Sequence, residues 1–451
     1  MIRRPSDFMV SPVRQPIVSA ARTSPSAILP ADPLPTPVPR ATEISDVVRY
    51  EHCLILGNSG SGKTQTLQEL ILKDLARPDP VALVVIDPKG FMVERIARLS
   101  NIPKDRLVII NANDNPAPPL NLFHPAGGKN LQHKIIESFD YIFAQSGVAL
   151  SSLMHAPFRF CTSLISSIPN SDIEMMIDFL DADAKDKRFK PYLDKLTDRG
   201  AQRFFETTFF TTRYLPTKQQ IKNRFNDLLS QPQVLAMFSS KSPALNMVDC
   251  LAQRKIVLVN TCAANGLDAS ILLGRYILSL VMAAAFARGM NGPPCFVYID
   301  EFLDYCDTYA TPRQFRLCRE YNVGLTCALQ VLWSKELDDD LRSTLSSTNI
   351  KYCAKMSGRE RSYMLRDLQC PEELLDGAVV DRTKQLVKFV RSLRGEQPEL
   401  ITIPYPNIIP RMQMGEREYQ TLLEENRRRL HPNPEPKPDP PPKPEEPSDS
   451  W

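Results

Sequence analysis

The sequence predicts an α/β protein in which helices cover a mostly parallel β-sheet. From about residue 52 onward, short apolar runs alternate with longer segments of helical spacing, which is typical of such a fold. The composition, 43% hydrophobic and 24% charged residues, is that of an ordinary globular protein. The predicted strands are residues 53–56, 81–86, 107–110, 256–260, 295–299, 323–329 and 350–355.

A long helical segment is expected between the third and fourth of these strands. Residues 128–245 contain almost no β-branched runs, and the pairs Phe204-Phe205 and Phe209-Phe210 follow helical spacing. We therefore predict an inserted all-helical domain there, so that the sheet domain consists of residues 45–127 and 246–410.

The last folded part of the chain predicts two further strands and a helix. Residues 386–390 and 400–403 have the apolar patterns of edge strands. Residues 411–431 form a C-terminal helical segment, in which residues 417–430 predict a charged helix.

Eighteen of the forty prolines crowd into residues 1–44 and 432–451 at the two ends of the chain. Residues 1–44 are rich in Pro, Ser, Ala and Thr, and residues 432–451 alternate Pro with Glu, Lys and Asp. Segments of such composition cannot bury enough apolar surface to fold. Disordered proline-rich arms are therefore predicted at both ends.

Neither net charge nor apolar runs identify a partner. A net charge of +3 is too small to indicate nucleic acid, although a local basic lining would be enough to bind it. The longest apolar run, residues 276–287, is too short to span a bilayer and predicts a buried helix. We expect no integral membrane segment and a cytoplasmic location.

The strongest motif follows the first predicted strand. It is a complete G-x-x-x-x-G-K-T loop placed between that strand and a helical run, and its residues are Gly57, Asn58, Ser59, Gly60, Ser61, Gly62, Lys63 and Thr64. Glycines let backbone N–H groups approach phosphates, and the helix that follows adds its positive end. Lys63 would meet the β- and γ-phosphates and Thr64 would ligate Mg²⁺. The motif thus predicts a P-loop NTPase of RecA-like fold with ATP and Mg²⁺ as cofactors.

A P-loop needs an acidic partner, which we expect on a neighbouring strand. Residues 295–299 are apolar and run into Asp300 and Glu301. Asp300 would hold the Mg²⁺ shell, and Glu301 would polarise the attacking water as general base. This is the pattern of a Walker B motif.

A second acidic strand end, at Asp87, rivals the first as an Mg²⁺ ligand. Pro88 follows it, so no second carboxylate could act as base. We therefore assign Asp87 to a neighbouring strand that flanks the site, and a purely structural turn at residues 87–90 remains the alternative.

The order of these motifs resembles that of ATPases of the HerA–FtsK class. The Asp-Pro-Lys-Gly turn at residues 87–90 is similar to that family's acidic strand end. Residues 254–260 with 272–275, and residues 319–330, are similar to segments of TraG/TraD-type coupling proteins of conjugation and type IV secretion. The resemblance spans about residues 50–360 and implies a hexameric ring that hydrolyses ATP and translocates DNA. Coupling proteins usually carry transmembrane helices in their N-terminal segment, where this chain has a proline-rich arm.

The same resemblance implies two more catalytic residues. Gln330, at the end of a strand beside the Walker B strand, would hydrogen-bond the γ-phosphate or the water. Arg319 would be an arginine finger that points into the site of the neighbouring subunit. The alternative arginines are Arg342, Arg359 and Arg361.

Several functions share such an engine. One is a coupling or mobilisation ATPase, cytoplasmic or held at a membrane by a partner such as a relaxase or a secretion-channel protein. Another is a viral genome-packaging ATPase, which would dock on a capsid protein and be associated with the virion. A third is an ATP-binding scaffold without translocation. Residues 185–195, 213–224 and 359–366 have charge suited to lining a DNA channel, and each also fits a solvated helix face.

Overall fold

The computed structural model describes residues 44–123, 138, 141–142, 152–241, 245–262, 267–308, 310–334 and 337–431. Apart from Ile44, the predicted arms at residues 1–44 and 432–451 lie outside this part of the chain. Some of the predicted helical insertion, at residues 128–245, also lies outside it.

A single ten-stranded sheet forms the centre of the protein. All seven predicted strands are present, and the predicted α/β class is confirmed. The strands are β1 Cys53–Leu56, β2 Ala82–Asp87, β3 Leu107–Asn111, β4 Ile256–Asn260, β5 Cys295–Ile299, β6 Val323–Leu329, β7 Ile350–Cys353, β8 Val380–Asp381, β9 Leu386–Leu393 and β10 Glu399–Pro404.

The strand order places the carboxyl ends of β1, β5 and β6 side by side. The order is β10-β9-β7-β1-β6-β5-β2-β4-β3, and β1 to β7 run parallel. We expected the acidic strand β5 next to β1, and that was wrong, because β6 pairs with both and lies between them. Apolar runs identify strands but do not state the order in which they pair.

Beyond β7 the sheet changes direction. β9 pairs antiparallel with β7, β10 pairs antiparallel with β9, and the short β8 also pairs with β9. Of the two strands predicted at an edge here, β10 lies at the edge of the sheet, whereas β9 lies between β10 and β7, so the expectation for β9 was wrong. This antiparallel extension lies on the P-loop side of the sheet, since β7 is the neighbour of β1.

Helices cover both faces of the sheet. The α-helices are Asp46–Arg49, Lys63–Leu75, Phe91–Ala97, Ser152–Ser166, Ile173–Asp181, Lys190–Leu193, Arg199–Phe204, Leu215–Leu229, Pro232–Phe238, Met247–Ala252, Leu267–Arg288, Ala310–Glu320, Asp339–Ser346, Gly358–Leu368, Glu372–Asp376 and Glu416–Leu430. A π-helical turn, Phe205–Phe209, and short 3₁₀ turns complete the helical elements.

The alternation of side chains along the strands divides the core in two. In β1, Leu54 and Leu56 join one apolar cluster, whereas Cys53 and Ile55 join the other. The first cluster includes the helices between β3 and β4, and the second includes the P-loop helix Lys63–Leu75 and the C-terminal helix. All the elements described between β3 and β4 are helical, and the domain boundaries at 128 and 245 remain a prediction.

One helix is longer than its apolar run indicated. Leu267–Arg288 has 22 residues, where we expected a core of residues 276–287. The window Ala269–Arg288 has a mean hydropathy of 1.8 and, among the described residues, is long and apolar enough to cross a membrane. Within the protein 89% of that window is buried. Gly274 and Arg275 interrupt the apolar run without interrupting the helix, which is why the length was underestimated.

A buried polar cluster ties the P-loop helix to β5. Asp74, in the last turn of that helix, has a 3% exposed side chain and accepts hydrogen bonds from Arg49 at 2.6 and 2.8 Å. The hydroxyl of Tyr298, on β5, donates to the same carboxylate at 2.5 Å. The Arg49 guanidinium also lies 3.4 Å from the ring centroid of Phe296 on β5. The cluster therefore fixes the helix after the P-loop against the strand before the acidic pair.

We expect Asp74→Ala to lower the free energy of unfolding by about 3 kcal/mol or more, because it leaves Arg49 and Tyr298 without their buried acceptor. Asp79→Ala is a suitable control, since Asp79 makes its ion pair with Arg254 at the surface and 70% of its side chain is exposed. Urea denaturation of both variants measures the difference. Equal stability of the two variants would contradict the role given to the Asp74 cluster.

Candidate functional site

The loop between β1 and the helix Lys63–Leu75 has the backbone geometry that its glycines permit. Gly60 and Gly62 have φ of 76° and 96°, in the left-handed region. A Cβ atom on Gly62 would lie 2.5 Å from Cγ1 of Val387, so a side chain is excluded there by both backbone and space. The Gly57 N–H donates to the carbonyl of Leu329 at 3.2 Å, which anchors the start of the loop to the end of β6.

Lys63 lies inside this loop. The residue is 6% exposed, and its Nζ donates to the carbonyls of Gly57 at 2.9 Å and Asn58 at 3.4 Å. Burial lowers the pKa of Lys63, and the nearby carboxylates of Glu301 and Asp300 oppose that shift. An ammonium group held among backbone carbonyls is placed to exchange them for phosphate oxygens.

The side chains of Thr64 and Asp300 are in contact, although β6 lies between the strands β1 and β5 that precede them. The Thr64 hydroxyl donates to Oδ2 of Asp300 at 3.0 Å, and the Glu301 N–H donates to Oδ1 of Asp300 at 3.1 Å. Asp300 is 1% exposed, and burial raises its pKa despite the hydrogen bond from Thr64. A buried carboxylate beside a hydroxyl is an oxygen donor set that fits Mg²⁺, whose charge would relieve the burial.

Glu301 takes up a constrained backbone conformation just beyond Asp300. Its φ and ψ are 49° and 52°, which non-glycine residues rarely adopt. Its carboxylate accepts hydrogen bonds from Nζ of Lys89 at 2.9 Å and from Nε2 of Gln330 at 3.2 Å to each oxygen. Burial favours a higher pKa for Glu301, but the hydrogen bonds from Lys89 and Gln330 outweigh it and hold the pKa below its usual value. Glu301 is thus ionised, as a general base must be.

Gln330 follows the end of β6, directly beside β5 as expected. Its amide contacts Glu301 itself, where the resemblance had it contact the γ-phosphate or the water. The structure therefore brings five predicted site residues together at the carboxyl ends of the central strands. They are Lys63, Thr64, Asp300, Glu301 and Gln330.

Asp87 belongs to a neighbouring strand, β2, but its carboxylate is used by the turn. It is 1% exposed and accepts hydrogen bonds from the backbone N–H groups of Lys89 at 3.0 Å, Met92 at 2.7 Å and Val93 at 3.3 Å. The bonds from Met92 and Val93 satisfy N–H groups in the first turn of the helix Phe91–Ala97, and the bond from Lys89 closes the turn before it. The strand β2 thus flanks the acidic strand β5 as expected, while the carboxylate of Asp87 is used by the turn, in agreement with the structural alternative.

Arg319 lies near the amino end of β6, whereas the cleft lies at the carboxyl ends of the strands. It precedes β6, whose seven residues separate it from the cleft by about 20 Å. Its side chain is 61% exposed and pairs with Glu51 at 3.0 Å. This position places Arg319 outside its own nucleotide cleft.

The alternative arginines have other contacts. Arg342 donates to the carbonyls of Leu332 and Leu337 and is 12% exposed. Arg361 pairs with Glu372 and Asp376. The guanidinium of Arg359 lies 3.6 Å from the ring centroid of Trp333. The predicted DNA-lining segments do not line the nucleotide cleft, and their role stays a prediction.

The cleft has a wall that the sequence did not predict. The cleft encloses about 530 Å³ and is lined on one side by Lys63, Thr64, Lys89 and Glu301. The opposite side comes from the antiparallel extension and consists of Val380, Arg382, Gln385, Val387 and Tyr405. A strand at residues 386–390 was foreseen, but only the sheet order shows that β9 runs past the P-loop.

The comparisons with known proteins agree with this geometry. The FtsK/SpoIIIE family model matches residues 21–108, a segment that contains the P-loop and the Asp-Pro-Lys-Gly turn. No curated protein sequence matches the chain. A solved structure of the bacterial conjugative coupling protein TrwB, truncated and unbound, aligns with 82% of this chain and 88% of its own, at 12% identity and a TM-score of 0.56.

The chain resembles the HerA–FtsK class in fold and motifs. The predicted resemblance is confirmed. TrwB in complex with ADP and Mg²⁺ aligns with 82% of this chain and 89% of its own, at 13% identity and a TM-score of 0.56. VirB4 of Thermoanaerobacter pseudethanolicus covers 80% of this chain and 91% of its own, at 13% identity and a TM-score of 0.53. At such identities the likeness concerns the HerA–FtsK-type fold.

Proposed function

We propose that this protein is an ATP-hydrolysing motor that translocates DNA, of the kind that couples DNA to a transfer channel in conjugation, mobilisation or type IV secretion. The observation that carries the proposal is the meeting of the P-loop with an acidic pair. Thr64 lies 3.0 Å from Asp300, and Glu301 lies in the same cleft as Lys63.

The residues of the cleft divide the work of hydrolysis. The P-loop backbone and Lys63 bind the phosphates of ATP, and Thr64 with Asp300 would hold Mg²⁺, which neutralises phosphate charge. Glu301 accepts a proton as water attacks the γ-phosphorus, and the bond from that phosphorus to the β,γ-bridging oxygen breaks. The products are ADP and inorganic phosphate.

The position of Arg319 supports the proposal of a ring. An exposed arginine at the edge of the sheet opposite its own cleft can complete the site of a neighbouring copy. A hexamer with DNA in its centre is the assembly implied by the HerA–FtsK resemblance. A cytoplasmic location, with a relaxase or secretion-channel protein as partner, accompanies this proposal.

Two other functions were open from the sequence. A non-translocating scaffold is disfavoured, because such a protein would not need Glu301 and Gln330 oriented beside Asp300. A viral packaging ATPase, with a capsid protein as partner, would use the same cleft. The fold of the conjugative coupling protein, shared over 82% of this chain, favours transfer over packaging.

An ATPase assay with and without DNA, paired with a mass measurement in the presence of nucleotide, tests the proposal. We expect phosphate release to increase several-fold with DNA and the mass to be six times that of the chain. Glu174→Gln, which removes an exposed carboxylate outside the cleft, serves as the control for charge. ATP turnover that is insensitive to single- and double-stranded DNA would exclude a DNA motor, and a stable monomer would exclude the ring.

A further inference from the structure

The turn after β2 presents a lysine that the proposed function does not use. Three backbone hydrogen bonds to Asp87 hold this turn in place. Gly90, with φ of 74°, allows close packing there, since a Cβ atom on it would lie 2.7 Å from Nδ2 of Asn260. Lys89 therefore starts from a fixed backbone position while its side chain remains 55% exposed.

Lys89 reaches across to the proposed general base. Its Nζ lies 2.9 Å from Oε1 of Glu301, and both side chains line the cleft that also contains Lys63 and Thr64. Burial acts to lower the pKa of Lys89. The hydrogen bond to Glu301, together with the negative charges of Glu301 and Asp300, outweighs that effect and raises the pKa above its usual value. The lysine is a charged donor held by the carboxylate that must be free to accept a proton from water.

The arrival of ATP changes the competition for this ammonium group. Lys89 lies in the turn after β2, and β2 is on the side of β5 away from the P-loop strand β1. The terminal phosphate must lie between Lys63 and Glu301 if Glu301 is to activate the attacking water. That position is within the reach of the flexible Lys89 side chain, and the phosphate carries more charge than one carboxylate.

ADP does not offer the same partner. Its two phosphates occupy the part of the loop covered by backbone N–H groups and Lys63. Contact with Lys89 thus depends on the third phosphate.

We propose that Lys89 is a positioning residue with two partners, Glu301 before ATP binds and the terminal phosphate afterwards. This inference rests on the proposed function of the cleft. The exchange frees Glu301 for the water only when a complete triphosphate is present, and Gln330 keeps the Glu301 carboxylate oriented throughout.

Binding of two nucleotides to three variants tests this exchange. The probes are ADP and the imido analogue of ATP, which is not hydrolysed, each with Mg²⁺. We expect Lys89→Gln to weaken analogue binding about tenfold and ADP binding less than twofold, because one charge-assisted hydrogen bond is lost only with the triphosphate. Lys89→Arg should restore the preference for the triphosphate, because it keeps a long cationic donor.

Lys73→Gln is the matched control, because it removes the charge of an exposed lysine on the P-loop helix about 15 Å along from Lys63. It should change neither affinity. Lys89→Gln that weakens both nucleotides equally, or neither, overturns the exchange. If the variants show the expected affinities but the unmodified protein does not hydrolyse ATP, the proposed function fails, and only the exchange of Lys89 between Glu301 and the terminal phosphate stands.

Discussion

Glu301→Gln is expected to bind ATP at least as tightly as the unmodified protein and to hydrolyse it at least about a hundredfold more slowly, because the amide cannot accept the proton of the attacking water. The substitution keeps the shape of the side chain and an oxygen that can accept from Gln330, so the cleft should be preserved. Nucleotide affinity and steady-state phosphate release measure the two effects separately.

The exposed Glu174 gives a matched control, since Glu174→Gln makes the same chemical change outside the cleft. It should leave turnover unchanged. Hydrolysis by Glu301→Gln at the rate of the unmodified protein would mean that another group takes the proton. Loss of nucleotide binding in that variant would instead assign Glu301 to binding.

A mixture of two inactive variants is expected to regain ATPase activity. Arg319→Ala leaves the P-loop intact but removes the proposed finger, whereas Lys63→Ala removes phosphate binding but keeps Arg319. In randomly mixed rings about a quarter of the interfaces join an intact cleft to an intact arginine, and activity should return there. Turnover measured as a function of the mixing ratio should be highest near equal amounts.

Two controls make the mixture decisive. Arg361→Ala, which alters an alternative arginine that pairs with Glu372 and Asp376, should remain active alone. Each variant should also assemble to the same mass as the unmodified protein. Recovered assembly without recovered turnover would remove Arg319 from the neighbouring site.

The strands and the P-loop could be predicted because their signals are local. Each run such as Cys295–Ile299 is apolar because a parallel strand is buried on both faces, and a burial pattern without an exposed position confirms it. The motif from Gly57 to Thr64 likewise combines all of its phosphate-binding groups within one turn of chain. Such features need no knowledge of the rest of the fold.

The wall of the cleft and the contacts of Glu301 could not be predicted, because they depend on strand order. Val387 borders the P-loop only because β9 pairs with β7 and β7 with β1. Lys89 meets Glu301 only because β2 is the neighbour of β5. The turn containing Lys89 was noted in the sequence. The spacing of residues along the chain does not show that the Lys89 side chain contacts Glu301, which is far away in sequence.

The Asp74 cluster has a consequence for how the proposed motor would transmit force. Because Arg49 and Tyr298 both donate to Asp74, the helix after the P-loop cannot shift along β5 without breaking a buried ion pair and a buried hydrogen bond. The P-loop helix and β5 are therefore expected to move together as one rigid unit. Residues 382–385 are exposed on the facing wall, so in the proposed motor we expect a change of nucleotide to displace this segment before the P-loop helix and β5.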